Sequence, residues 1–258
     1  MGHSHIAYAG IGLLVALSMG ICGCRGDLAG GGGGSSSGST TDVMYDEGQG
    51  EGEECSDSET RDTFRPFDEM DKPVVYLYPE SETDVTVSIE HPDWLTCTYP
   101  ETEDGSWSVV AEPDGTLTDK VTGRSLYALY YEATAPAADV SDEGFVVGRR
   151  DLVPFLEEKL ATVGLTEREA EEFIVWWLPQ MREYDRCLVR FSLTATEQEL
   201  NRLDVSPAPD HLIRIRMIWK GYDDSESIPP VSEQELTPVD RPSLDGFVAV
   251  EWGGTELR

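Results

Sequence analysis

The chain has 258 residues, 39% of them apolar, enough for a real core in one large domain or two small ones. Fifty acidic residues face nineteen basic ones, a formal net charge of −31, and lysine occurs only at Lys72, Lys120, Lys159 and Lys220. That balance repels phosphate backbones and excludes nucleic acid as a partner, while the apolar content excludes wholesale disorder.

From Ile6 to Ile21 runs an apolar stretch broken only by small residues, Tyr8 and Ser18. Sixteen helical residues reach about 24 Å, short of a hydrocarbon core of about 30 Å, so a removable signal segment over residues 1–23 fits better than a permanent membrane helix. The run ends in "ICGC": an apolar residue, a small one, Gly, then Cys. This resembles the lipobox of bacterial lipoproteins, with Cys22 reading as an incidental small residue. The resemblance implies cleavage before Cys24 and a lipid, palmitate among its acyl chains, on Cys24. Several chains on one residue anchor stably, so the implied location is the cell membrane or outer envelope, with the remaining chain extracytoplasmic.

Residues 24–70 begin Gly/Ser-rich and turn acidic, with three basic residues (Arg25, Arg61, Arg65) against twelve acidic ones after Cys24. Neither half can bury enough apolar surface to fold, and like charge stretches it, which predicts a flexible tether. "GSSSG" (Gly34 to Gly38) matches a hydrolase nucleophile motif in letters but lacks the strand, strained turn and helix that the motif needs. "RGD" at Arg25 is a chance tripeptide, and "DEGQGEGEE" lacks the ordered loop of a dedicated calcium site.

From Asp71 onwards the composition favours strands. In "TDVTVSIE", Val85, Val87 and Ile89 share one face and polar residues take the other, as in a half-buried strand. "VVYLY" (Val74 to Tyr78), "LTCTY" (Leu95 to Tyr99), "SWSVVA" (Ser106 to Ala111) and "LYALYY" (Leu126 to Tyr131) read similarly, with turns at "EDG", "PDG" and "VTG". After a short strand at Phe145 to Val147, Leu152, Leu156, Leu160 and Val163 form one stripe of a helix over Asp151 to Val163, stopped by Gly164. A second helix starts at Thr166, capped by a Thr166/Glu169 box and stopped by Pro179. Its Ala170, Phe173, Ile174, Trp177 and Leu178 form an apolar stripe, and Val175 with Trp176 makes a second apolar face, which predicts a helix sandwiched in a core.

Strands follow at Cys187 to Leu193, Leu212 to Trp219 and Gly246 to Trp252, with a short helix near Thr196 to Leu203. The expected class is α+β: an antiparallel sheet or sandwich with a central pair of helices packed on it, forming one domain over 71–258. "KPVVYLYPE", "LTCTYP", "EAEEFIVWWLP" and "VEWGG" together resemble an uncharacterised bacterial family of secreted proteins and lipoproteins. The resemblance implies export and supplies no catalytic residues.

"GLTEREAEEFI" (Gly164 to Ile174) is similar to the first helix of a response-regulator helix-turn-helix, but a proline stop and a strand follow where a basic recognition helix is needed. For a metal the expected folded part offers only His91 and His211, far apart, with neither H-E-x-x-H nor paired C-x-x-C, so no metal or cofactor is expected. Cys97 and Cys187 fall in strands and read as buried thiols or as a bridge. Glu167, Glu169, Glu171 and Glu172 complement the positive end of their helix rather than mark a glycosidase pair.

Arg190, Arg214 and Arg216 share a sheet face if their strands are neighbours, and either bind a small anion or pair with the abundant acids. Among the six tryptophans, Trp94 and Trp252 are the candidates for exposure and for stacking on sugar rings. The expected function is a cell-envelope lipoprotein that binds a glycan, a small anion or a protein, without catalysis assigned. The alternative is an extracytoplasmic hydrolase acting on glycan or peptide.

Overall fold

A computed structural model describes residues 68–135 and 142–257; the signal segment, Cys24 and nearly all of the expected tether lie outside the described residues. The described residues belong to one compact unit, Thr60–Arg258. The first strand includes Asp68 to Met70, with Met70 buried, so these last residues of the stretch expected as tether belong to the sheet.

An eight-stranded mixed sheet runs in the order β12 (Ser232–Glu233), β8 (Glu143–Gly148), β9 (Arg186–Leu193), β11 (His211–Tyr222), β13 (Val248–Glu256), β1 (Asp68–Tyr78), β7 (Leu129–Ala135) and β3 (Leu95–Tyr99). β11 and β13 pair in parallel, as do β12 and β8, and the other pairs are antiparallel. A five-stranded antiparallel sheet holds β10 (Leu203–Ser206), β2 (Thr83–Ile89), β4 (Ser106–Ala111), β5 (Leu117–Asp119) and β6 (Ser125–Leu126). Three helices complete an α+β domain: α1 (Leu152–Thr162), α2 (Glu167–Met181) and α3 (Thr194–Leu200).

Two apolar clusters follow from the period of two along the strands. One gathers Leu152, Leu156 and Leu160 of α1 and Phe173 and Trp177 of α2 with Val74, Val189, Ile215, Met217, Val250 and Trp252. The other gathers Val75, Leu77, Leu129 and Ala249 of the large sheet with Val85, Val87, Val109 and Leu117 of the small one. The central strand β11 is buried along both faces, which is why it reads as a nearly continuous apolar run interrupted by arginine.

α1 ends at Gly164, whose φ of +96° favours glycine and where a Cβ would lie 2.8 Å from Val239. α2 then starts with the expected capping box. Thr166 Oγ1 accepts from the Glu169 backbone N–H (3.3 Å), and Thr166 N–H donates to Glu169 Oε2 (2.8 Å). Trp177 sits so close to β13 that a Cβ on Gly254 would come within 2.4 Å of its ring. An indole of this kind removes about 200 Å² from water, an upper limit of about 5 kcal/mol at about 25 cal/mol/Å².

Three expectations for the helices are corrected. Pro179 does not stop α2, which continues to Met181. Placed in the last turn, the proline deprives only the Val175 carbonyl of a donor, on a side of the helix where Val175 is 69% exposed. The second apolar face is not sandwiched either, because Trp176 is 40% exposed beside Val175. α3 begins at Thr194, whose hydroxyl accepts from Arg214 N–H (2.9 Å), and ends at Leu200, after which Leu203–Ser206 pairs with β2 instead of prolonging the helix.

Candidate functional site

The three arginines do share a sheet face. In the β9–β11 ladder Arg190 lies opposite Ile218 and Arg216 opposite Ser192, with Arg214 two residues before Arg216. They do not form an open anion site. Arg214 and Arg216 are 1% and 4% exposed, and each is bound to a carboxylate: Arg214 Nε to Glu251 (2.5 Å) and Arg216 Nε to Glu197 (3.1 Å). Arg214 Nη1 also donates to the carbonyls of Glu197 (2.9 Å) and Asn201 (2.6 Å), closing the end of α3, while Tyr131 donates to Glu251. Arg190 is half-buried and engaged as well.

Trp252 is fully buried, contrary to the expected exposure: it faces α2, edge-to-face with Phe173 at 5.2 Å. Trp94 is half-buried on a 3-10 turn and stacks on His91 at 4.1 Å. His211 opens β11, and the neighbouring Asp210 accepts from Phe247 N–H (2.8 Å) as a structural tie. Among the described residues no group of three His, Cys, Asp or Glu is placed to hold a metal ion. Cys97 and Cys187 are free thiols, exposed and buried. Five strand spacings separate β3 from β9, about 24 Å, far beyond disulfide reach.

An open aromatic groove lies elsewhere. Lys72, Val74, Tyr99, Ser125, Leu126, Tyr127, Ala128, Tyr130 and Trp176 line a groove of about 560 Å³, in the size range of small-molecule sites. Tyr99 (48% exposed), Tyr127 (54%) and Trp176 (40%) are half of the large apolar side chains that the described residues expose. Their grouping in one groove makes it an aromatic surface rather than scattered exposure.

Each wall has a local cause. β3 and β7 pair Tyr99 with Tyr130 directly, placing both rings on the same face. Between Asp71 and Val74 the register of β1 against β13 shifts, a β-bulge, and Lys72 there has φ +54°, the only described non-glycine residue with positive φ. A left-handed lysine costs about 1–2 kcal/mol and aims its ammonium over Trp176, 4.2 Å from the ring centre. Trp176 itself comes from the outward face of α2.

A polar border surrounds the rings. Glu172 accepts from Tyr76 Oη (2.7 Å) and from Arg168 (3.2 Å), whose guanidinium lies 5.5 Å from the Tyr127 ring centre. Tyr130 donates to Glu132. Burial lowers the Lys72 pKa, partly opposed by Glu172, while burial followed by Glu172 raises that of Tyr127. Tyr130 is raised by burial, then by Glu132. All three therefore stay in their ordinary neutral-pH forms or, for lysine, lose some hold on the proton. The groove offers ring faces, carboxylate acceptors and two cations already seated on rings.

Sequence reasoning missed this site because its walls come from four segments, and its tyrosines look like ordinary strand formers. The available signal was the second apolar face of α2, with adjacent Val175 and Trp176. Fold and groove together define an α+β domain of one mixed and one antiparallel sheet with an open aromatic surface. The chain matches no protein-family model, no curated protein and no solved structure.

Proposed function

We propose that the chain is a cell-envelope lipoprotein, anchored through Cys24, whose α+β domain is an extracytoplasmic binding module with the Trp176 groove as its site. The observation that carries the binding reading is the gathering of Tyr99, Tyr127 and Trp176 in one open groove. The four stretches that resemble an exported bacterial family fit it: three contribute walls, through Lys72 and Val74, Tyr99, and Trp176. In the same reading the domain has three layers, with α1 and α2 on one face of the large sheet and the small sheet on the other, consistent with the two apolar clusters.

The hydrolase reading needs two open acids facing a cleft. The buried carboxylates Glu169, Glu197 and Glu251 are paired with Arg241, Arg216 and Arg214, and the two acids beside the groove are engaged as well, Glu172 by Tyr76 and Arg168 and Glu132 by Tyr130. Two experiments test the proposal. In cell fractionation, Cys24→Ala releases the protein from membranes; unchanged retention and mass contradict the anchor. A panel of glycans, small anions and peptides yields at least one ligand whose binding is lost in the Tyr127→Ala, Trp176→Ala double variant. Ligands that bind wild type and variant equally contradict the groove.

A further inference from the structure

We propose that the occupant of the Trp176 groove is a neutral oligosaccharide, an inference that rests on the groove being the binding site. The charge of the domain narrows the choice first. After Met70 the sequence carries thirty-eight acidic and sixteen basic residues, so a polyanion meets net repulsion before contact. The cations at the groove do not reverse this. Lys72 lies over Trp176, Arg168 lies over Tyr127, and both interact with Glu172. A cationic ligand meets the opposite obstacle, because the Lys72 ammonium and the Arg168 guanidinium already stand against the rings of the groove and repel it.

A sugar ring satisfies both halves of the surface. Its C–H faces are apolar and flat, matching Tyr99 and the parts of Tyr127 and Trp176 that stay exposed beside Arg168 and Lys72. Its equatorial hydroxyls radiate towards the border, where Glu172 and Glu132 provide carboxylate acceptors and Ser125 and Lys72 provide donors. Glu172 already receives Tyr76 and Arg168, which fix its orientation while leaving lone pairs for a ligand. The left-handed Lys72 in the β-bulge and the exposed α2 face then share a purpose. One places a donor and the other a stacking platform on the same groove, about 560 Å³ in volume.

The test is calorimetric titration of the full chain with neutral tetrasaccharides (β-1,4-glucan, α-1,4-glucan and β-1,4-linked N-acetylglucosamine), tetragalacturonate, tetralysine and a Phe/Leu tetrapeptide. The expected result is association with a neutral tetrasaccharide that is unchanged by 0.5 M NaCl and weakened about tenfold or more by Trp176→Ala. Tyr127→Ala, on a different segment, gives the same loss, so a folding defect in one variant cannot imitate it. Groove-dependent binding of the galacturonate, tetralysine or the peptide, without any neutral sugar, overturns the ligand class and leaves the groove standing as the site. If no probe binds in a manner sensitive to Trp176→Ala and Tyr127→Ala, both the ligand class and the groove assignment fall.

Discussion

Replacing Arg214 by Met tests whether the arginines of β11 serve the interior. Arg214 is 1% exposed, holds Glu251 at 2.5 Å and closes the end of α3 through the carbonyls of Glu197 and Asn201. The methionine fills most of the volume but leaves Glu251, 4% exposed, with Tyr131 as its remaining partner. Removing one member of such a buried pair costs about 3–5 kcal/mol, a large part of the 5–15 kcal/mol that typically holds a domain together. With a urea dependence of about 2 kcal/mol per M, the unfolding midpoint followed by circular dichroism falls by about 2 M. Arg214→Met combined with Glu251→Leu recovers most of the loss, because no uncompensated charge is then left inside. A loss below about 1 kcal/mol, as for a solvent-screened pair, or a double variant as weak as the two single losses added together, refutes this reasoning.

Gly254→Ala forces a Cβ against the Trp177 ring and costs about 1–3 kcal/mol, with a changed near-ultraviolet dichroism spectrum; wild-type stability and spectrum contradict that contact. Val175→Ser, on the outward face of α2, changes stability by no more than about 0.5 kcal/mol, whereas Trp177→Ala costs about 3–5 kcal/mol; equal losses in urea unfolding contradict the assigned faces. Alkali weakens the fold. Burial, then Glu256, pushes the Cys187 thiol up to about 12, and burial, then Glu251, holds Tyr131 well above its ordinary value. In the unfolded chain these groups ionise near about 8.5 and 10, so that state sheds protons which the folded state retains. Their stabilising contribution is complete below about pH 8.5 and declines as pH rises towards the folded values; a urea midpoint that stays level from pH 7 to pH 10.5 contradicts it.

Much of the fold was legible where one local signal dominated. Val85, Val87 and Ile89 alternate because β2 has one buried face, and Thr166 with Glu169 caps α2 as its spacing requires. The division into two sheets was not legible, since β10, paired with β2 across more than a hundred residues, carries no local mark of its partner. Trp252 was a candidate for exposure, yet β13 lies in the interior of the large sheet between β11 and β1. On α2 the two apolar faces were recognised, but periodicity says only that a face is apolar, not that a second layer covers it. The arginines were placed together correctly, and the choice between ligand and ion pair was decided by the burial of Glu197 and Glu251, which strand alternation alone does not give.

The groove assignment is tested most directly by the indole N–H resonances of the full chain, with that of Trp176 assigned through Trp176→Phe. Saturation with a ligand obtained from the binding panel is expected to shift the Trp176 resonance while those of the buried Trp177, Trp219 and Trp252 stay in place. A ligand that shifts Trp94 or the buried indoles and leaves Trp176 unmoved contradicts the assignment.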